Sequence, residues 1–265
     1  MNVNDLFDIA GRTAIVTGGA GKYGKDIVSA LLEAGCRVII ASRDLEKLER
    51  TKAAFGKQGY KDVACYRLDL GETASMDAFV ERVYEDCEKI DILVNNSVIH
   101  TMKGFNGDIA GWEESFKVNA TGTYCLTRAI GNRMVEAGKG SIISIASIYG
   151  VVGPDRTHYV GTDMDGDGGA GDYYHHKAGL INLTRHFASK YGQAGIRVNC
   201  ISPGGRFFKE SPQHPKFVER YNKRTFLGRM ADEDDIKGAI VFLASDASKY
   251  ITGENIMVDG GYVQK

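Results

Sequence analysis

Short apolar runs alternate with amphipathic stretches along the whole chain. The runs predict strands at residues 13–16, 37–41, 63–68, 90–94, 141–146, 196–201 and 256–258. Apolar positions at helical spacing predict helices at residues 24–34, 45–55 and 76–86, and longer helices precede the runs at 141 and 196. Residues 90–94 (IDILV) are apolar almost throughout, as is typical of strands covered on both faces. The alternation predicts an α/β fold, a doubly wound parallel sheet with helices on both faces.

No linker, repeat or low-complexity run divides the chain, so residues 1–265 are interpreted as a single domain. Two stretches interrupt the rhythm, at about 154–172, which is rich in glycine and aspartate, and at about 204–224. Long connections in compact domains are usually functional or disordered. We expect both to be insertions that serve the substrate.

Composition narrows the function classes. Hydrophobic residues make up 43% of the chain, charged residues 25%, and the net charge is −1, so neither nucleic acid nor an anionic membrane is expected as a partner. The sequence contains no apolar run long enough for a membrane span and no signal-peptide pattern at the N-terminus. The five cysteines are scattered, which favours reduced thiols and a cytoplasmic location.

A glycine-rich loop, residues 17–24 (TGGAGKYG), follows the first predicted strand and opens the first helix. Glycines let the backbone approach a pyrophosphate closely, and a helix N-terminus offers free N–H groups and a positive dipole end. In this strand–turn–helix context the loop predicts a dinucleotide site. A purely structural turn is the alternative.

The end of the second strand bears on the choice of cofactor. Ser42 stands where a carboxylate would hold the ribose hydroxyl of NAD, and Arg43 follows it. A cation beside a hydroxyl suits a 2′-phosphate, and Lys22 could add a second positive charge. NADP(H) is therefore favoured. NAD(H) stays possible if the carboxylate of Asp44 reaches the ribose instead.

Several further motifs occur in a fixed order: Asp69-Leu70, the segment 95–98 (NNSV), Asn119 in KVNATGTY, Ser147 in SIISIASIYG, Tyr173-x-x-x-Lys177, and Pro203-Gly204. Together with the glycine loop, they resemble the short-chain dehydrogenase/reductase family in its compact single-domain branch. The resemblance covers residues 11–261. Within the family, the sequence is similar to members that modify bacterial surface sugars or flagellin. It implies a homotetramer or homodimer, built partly by the helices before Ser141 and after Tyr173.

The resemblance also implies roles for individual residues. Tyr173 would be the acid/base with Lys177 as its helper, Ser147 would polarise the substrate oxygen, and Asn119 would hold a water in a proton relay. Asn95 would lie beside the cofactor ribose, or would instead stabilise the central strand. The residues expected to bind the cofactor are Gly18, Gly21, Lys22, Tyr23, Gly24, Ser42, Arg43, Asp69, Leu70, Asn95, Ser97, Tyr173, Lys177, Pro203 and Gly204.

Physical reasoning supports the catalytic assignment. Tyr173 and Lys177 are four residues apart, so a helix puts them on one face. A free tyrosine has a pKa near 10, too high for an efficient base at neutral pH, and a nearby ammonium should lower it. Ser147 ends a predicted strand, and strand ends border the ligand crevice of an open α/β sheet.

The interval from Ser147 to Tyr173 is long for this family, so residues 154–172 must bulge beside the catalytic pair. Polar residues there, including Arg156 and His158, predict a hydroxylated, sugar-like substrate, and Arg206 and Lys209 could meet an anionic group on it. The expected substrate residues are Arg156, His158 and Arg206. The acidic stretch over 163–167 lacks the final glutamate of a calcium loop, so no metal is expected.

Departures from the family pattern leave other functions open. Lys22 stands where this branch usually has a glycine, and the spacing of the loop resembles that of sugar-nucleotide enzymes. An epimerase or dehydratase that retains its cofactor is therefore one alternative. A non-catalytic dinucleotide-binding sensor is another, although it would not need Ser147, Tyr173 and Lys177.

Overall fold

The computed structural model describes residues 2–165 and 169–265, and its centre is a parallel sheet. In these residues seven strands pair, all in parallel, in the order β3-β2-β1-β4-β5-β6-β7. Their bounds are β1 Thr13–Thr17, β2 Arg37–Ser42, β3 Val63–Arg67, β4 Ile92–Asn95, β5 Gly140–Ile145, β6 Ile196–Pro203 and β7 Asn255–Val258. The predicted doubly wound sheet is confirmed, with strand ends shifted by one or two residues.

Helices cover both faces of the sheet. Their bounds are α1 Val3–Phe7, α2 Lys22–Glu33, α3 Leu45–Lys57, α4 Thr73–Asp86, α5 Ile109–Ser115, α6 Thr123–Ala137, α7 Gly171–Tyr191, α8 Pro215–Arg224 and α9 Lys237–Ala244. A π-helix, Phe116–Gly122, joins α5 to α6. Among the described residues, no helix is both long enough and apolar enough to cross a bilayer.

Strand side chains alternate between two apolar layers. In β1, Ala14 and Val16 join the layer formed with α2, α3 and α9, whereas Ile15 joins the layer formed with α4, α6 and α7. These β1 residues are fully buried. Burial on both faces explains why the strands of the sequence are continuous apolar runs.

The order of strands reverses between β1 and β4. β1 continues to β2 on one side, and β4 continues to β5 on the other. The chain therefore leaves the carboxyl ends of these two strands in opposite directions and opens a crevice there, where ligands bind in open α/β sheets.

The two long connections differ from their expected extent. Residues 215–224 form helix α8, which begins with a proline at its first position, so the second connection is much shorter than predicted. In the first connection, Arg156–His158 forms a short 3-10 helix and α7 begins at Gly171. Residues 166–168 of this connection, and with them part of the stretch considered as a calcium loop, lie outside the described residues.

Candidate active site

The glycine loop folds tightly between β1 and α2. Gly18 has a φ of +64°, which favours glycine, and a Cβ at Gly24 would collide with the carbonyl oxygen of Gly18. The Thr17 hydroxyl oxygen accepts the N–H groups of Asn96 and Ser97, each at 3.0 Å, and so fixes the loop to the end of β4. These backbone contacts make one wall of a cleft of about 580 Å³.

Helix α2 begins in this cleft without a side-chain cap. Gly21 is its N-cap residue and has no side chain to accept a hydrogen bond from the first turn. The open N–H groups and the dipole of a twelve-residue helix favour an anion at this point. The loop therefore fits the pyrophosphate of a dinucleotide.

The far end of the cleft carries two cations. Ser42, Arg43, Asp44 and Lys47 all line it. The Asp44 carboxylate accepts the N–H of Lys47 at 2.9 Å and caps α3, so it has a structural task. Lys47, which the sequence reasoning missed, lies in the first turn of α3 and adds a second positive charge beside Arg43. Lys22 instead reaches the other end of the cleft, where its ammonium lies 4.2 Å from the centre of the Phe208 ring.

The middle of the cleft is formed by the ends of β3 and β4. Asp69 and Leu70 line one side of the cleft. The residues that line another side include Asn96, Ser97 and His100. Asn95 is not among the lining residues. Its side-chain amide donates to the Thr127 hydroxyl at 2.9 Å, so its role is the alternative one, to hold the central strand against α6.

The predicted catalytic residues Ser147 and Tyr173 come together. Ser147 follows β5, and its hydroxyl oxygen accepts the N–H of Tyr149 at 3.1 Å. Tyr173 lies in the first turn of α7, with the Ser147 hydroxyl near enough to lower the pKa of its phenol. Tyr173 lines both the cleft and a second cavity, so its phenol stands at the boundary between the two.

Lys177 lies behind Tyr173, one helical turn along α7. Its Nζ atom donates to the carbonyl of Ile145 at 2.6 Å and lies 5.6 Å from the centre of the Tyr173 ring. The residue is 6% exposed, and this burial lowers the pKa of the amine to about 8. The four-residue spacing of Tyr173 and Lys177 predicted that their side chains lie on one face of a helix.

One electrostatic expectation is wrong. Burial raises the pKa of Tyr173 above its ordinary value, and the opposing effect is the hydrogen bond from Ser147, rather than an ammonium at Lys177. The reason is that burial disfavours the phenolate and also lowers the pKa of Lys177, so the amine loses its proton at a lower pH than the phenol does. Ser147 is therefore the neighbour that lowers the pKa of Tyr173.

Asn119 lies on the π-helix. Its side chain makes two hydrogen bonds of 2.9 Å to the backbone of Ile99, as acceptor from the N–H and as donor to the carbonyl. Asn119 therefore fixes the backbone of the segment after β4, which includes His100. The His100 ring in turn lies 5.1 Å from the Tyr173 ring. Wide π-helical turns often occur at functional sites.

The second cavity, of about 430 Å³, lies on the other side of Tyr173. Its walls come from the two long connections and include Tyr149, Tyr159 and Phe208. Pro203 and Gly204 line it as well, and the Gly204 carbonyl accepts the Tyr23 hydroxyl at 2.7 Å. This cavity is the candidate substrate site.

Two of the three expected substrate residues are elsewhere. His158 is 2% exposed and packs against the rings of Phe217, Tyr221 and Tyr262 behind the wall, so it supports the cavity without lining it. Arg156 is exposed and does not line the cavity either. Arg206 does line it, but its guanidinium is paired with Asp26.

Two histidines at the start of α7 make packing contacts. His175 lies against Trp112 and Phe116, and His176 shares a 2.9 Å hydrogen bond with the Ser115 hydroxyl. Within residues 2–165 and 169–265 no group of three or more potential metal ligands comes together.

Comparison with known proteins decides the family. Residues 23–263 match the family model described as "Enoyl-(Acyl carrier protein) reductase". The chain belongs to the short-chain dehydrogenase/reductase family. It is therefore an NAD(P)-dependent oxidoreductase that acts on CH–OH groups, as its motifs predicted.

Relatives with different substrates are about equally similar. A 2-dehydro-3-deoxy-D-gluconate 5-dehydrogenase of Bacillus subtilis is 32% identical over 99% of each chain. A (2S)-[(R)-hydroxy(phenyl)methyl]succinyl-CoA dehydrogenase subunit of Thauera aromatica is 31% identical over 96% of this chain and 97% of its own. The crystal structure of a gluconate 5-dehydrogenase from Burkholderia cenocepacia in complex with NADP and tartrate superposes over 100% of both chains with a TM-score of 0.88 and 26% identity.

Proposed function

We propose that the chain is an NADP(H)-dependent oxidoreductase that interconverts a carbonyl and a secondary alcohol on a small, sugar-like compound, with Tyr173 as the acid/base. The position of Tyr173 carries this proposal, because Tyr173 lines both a dinucleotide cleft and a second cavity, and Ser147 lines that second cavity beside it. A dinucleotide-binding sensor would need neither the second cavity nor this pair.

The donor groups of the cleft suit NADP(H). The open first turn of α2 would hold the pyrophosphate, and Ser42, Arg43 and Lys47 would hold the 2′-phosphate. Asp69 and Leu70 would contact the adenine, and Lys177 the nicotinamide ribose. The solved relative from Burkholderia, which contains NADP, supports the same preference.

The chemistry assigns one task to each catalytic side chain. When bound, the nicotinamide accepts or donates the hydride. During oxidation Tyr173 takes the proton of the substrate hydroxyl, and during reduction it returns a proton to the carbonyl oxygen. Ser147 donates its hydroxyl hydrogen to that oxygen, while the hydroxyl oxygen accepts the Tyr149 N–H. Lys177 is itself held in place by its bond to Ile145, with its amine 5.6 Å from the centre of the phenol ring.

The cavity supports a polar substrate of modest size. A volume of about 430 Å³ is in the range of small-molecule sites. Tyrosine hydroxyls, Thr162 and Gln213 in its walls are hydrogen-bonding partners for hydroxyl groups. The relatives named for gluconate and its dehydro-deoxy derivative support the same substrate class.

The test is a panel of ketoses, polyols, aldonates and acyl thioesters, each assayed with NADPH, NADH and their oxidised forms. Tyr173→Phe should lower kcat by about 10²–10⁴-fold while fluorescence titration shows unchanged NADPH binding. Tyr174→Phe is the matched control on the next residue of α7 and should stay near the parent rate, because Tyr174 lines neither the cleft nor the cavity.

The outcomes separate the alternatives. Turnover that survives Tyr173→Phe, or loss of NADPH binding in that variant, contradicts the assigned role. Substrate conversion without net change of NADPH, with cofactor that copurifies, would identify an epimerase or dehydratase. We also expect a homo-oligomer, for which light scattering is the measurement.

A further inference from the structure

Arg206, the cation of the candidate substrate cavity, is neutralised from within the protein. Its Nε atom lies 2.9 Å from one Asp26 carboxylate oxygen, and an Nη atom donates to the other at 3.0 Å. The Arg206 and Asp26 side chains are 12% and 7% exposed. Only the Nη contact is a hydrogen bond; the Nε atom and the Asp26 oxygen beside it form an ion pair without hydrogen-bond geometry. The guanidinium is therefore held to Asp26 by one hydrogen bond and by close charge attraction in a buried position.

The other surfaces of Arg206 are also engaged. The Phe208 ring covers the guanidinium, with 4.6 Å from its centre to the Arg206 Cζ atom. Glu233 lies 3.7 Å from Arg206 and 3.8 Å from Lys209, so both cations expected to bind an anionic substrate have acidic neighbours.

Two acceptors also lie in the described wall, beside its hydroxyl groups. Asp163 contributes a carboxylate, and the buried Oε1 atom of Gln213 has no hydrogen-bond partner within the described residues. The Gln213 amide nitrogen is used by the Arg206 carbonyl. Acceptors of this kind suit substrate hydroxyl groups and repel a carboxylate.

We propose that Asp26 is a specificity-determining residue, which cancels the charge of Arg206 and thereby makes the cavity select uncharged polyhydroxy compounds over their carboxylate counterparts. This inference rests on the proposed function and narrows its substrate class. Asp26 acts from α2, the helix that opens the dinucleotide cleft, and reaches the cavity through Arg206.

The selection should depend on pH. Burial raises the pKa of Asp26 to about 7, with Glu233 and Asp234 acting in the same direction and with Arg206 and Lys237 opposing. As pH falls through 7, Asp26 takes up a proton and Arg206 loses its counter-charge. Carboxylate substrates should then be accepted better.

The test compares a hexitol with the hexonate of the same stereochemistry as substrates for oxidation. The measured quantity is the ratio of kcat/KM for the hexonate to that for the hexitol. Asp26→Asn should raise this ratio about tenfold or more at pH 8, since a charge-assisted partner becomes free. Taking the ratio cancels the titration of Tyr173 and Lys177, which serve both substrates.

Three controls isolate the pair. Asp26→Glu keeps the charge and should keep the parent ratio. Glu233→Gln removes a more distant and more exposed carboxylate and should change the ratio much less. Adding Arg206→Gln to Asp26→Asn should abolish the gain. In the unaltered protein the ratio should rise between pH 8 and pH 6, which tests the inference even if Asp26→Asn fails to fold.

Calorimetric binding of the two compounds to the NADPH-loaded protein gives the same comparison without turnover. A parent protein that prefers the hexonate at pH 8, or a ratio unchanged in folded Asp26→Asn, overturns the inference. Binding that shows the predicted shift without any turnover would refute the proposed oxidoreductase activity and support the charge selection.

Discussion

The dinucleotide cleft and the substrate cavity share the Tyr23, Tyr173 and Phe208 side chains but are held together in different ways. The cleft depends largely on backbone atoms at strand ends, as where the Gly18 N–H donates to the Ala41 carbonyl at 2.8 Å. The cavity depends on side chains that join distant segments, as where Arg206 meets Asp26, 180 positions earlier. Changes in side chains should therefore alter the cavity more readily than the cleft.

The largest expected effect is at the boundary between the two regions, where Lys177 is buried. Its folded pKa of about 8 is below the ordinary value of 10.5, so its burial destabilises the fold fully below pH 8, and this cost disappears as pH rises towards 10.5. Lys177→Met should abolish turnover yet gain up to about 3 kcal/mol of stability at neutral pH, less the lost bond to Ile145.

Thermal unfolding of parent and Lys177→Met at pH 7 and at pH 10 measures this effect. The stability gap should shrink at the higher pH, because the parent amine is then neutral in the folded state. A gap that does not shrink with pH would mean that Lys177 stays protonated in the folded protein throughout this range. Lys190→Met, at the exposed end of α7, is the control and should change little.

The next largest effect concerns the two cations at the far end of the dinucleotide cleft. Replacing both Arg43 and Lys47 by alanine should weaken NADPH binding about 10- to 100-fold, since charged hydrogen bonds to the 2′-phosphate are lost. NADH binding should be almost unchanged. Fluorescence titration of both cofactors gives the measurement, and Arg50→Ala, on the exposed side of α3, is the control.

Equal losses of affinity for NADPH and NADH would contradict the assignment of Arg43 and Lys47 to the 2′-phosphate. The Asp44 carboxylate would then be the group expected to select the cofactor.

The smallest effect tests the wall that both regions share. Phe208→Leu should raise the KM of the substrate and the Kd of NADPH by a few-fold each, because the Lys22 and Arg206 contacts to the ring are weakened. Steady-state kinetics and fluorescence titration measure the two quantities. Phe226→Leu, which lies outside both sites, should change neither. A change in the KM of the substrate with an unchanged Kd of NADPH would mean that Phe208 affects the substrate cavity and not the cleft.

The sequence predicted the cleft better than the cavity for a physical reason. Gly18, Gly24, Tyr173 and Lys177 act through local geometry, either a turn between a strand and a helix or one face of a helix. Such geometry is encoded over a few residues, so spacing alone predicts it. The parallel sheet was predictable in the same way, because its strands are buried on both faces.

The parts that were missed depend on contacts between distant segments. His158 looked like a substrate residue because it is polar and near the catalytic pair in sequence, but it is buried among three aromatic rings. Arg206 looked like a free cation because nothing local indicates Asp26. Lys47 could have been found, since the first turn of α3 directly follows Arg43 and points to the same strand end.

The ring of Phe208 has a consequence for the order in which ligands bind. It forms part of the wall of both compartments, and it is held by Lys22 beside the phosphate-binding turn. A phosphate that draws Lys22 away leaves the ring with only its Arg206 contact among these two cations, on the side of the substrate cavity. Occupancy of one compartment is then thermodynamically linked to occupancy of the other, and each ligand must change the affinity of its neighbour by the same factor.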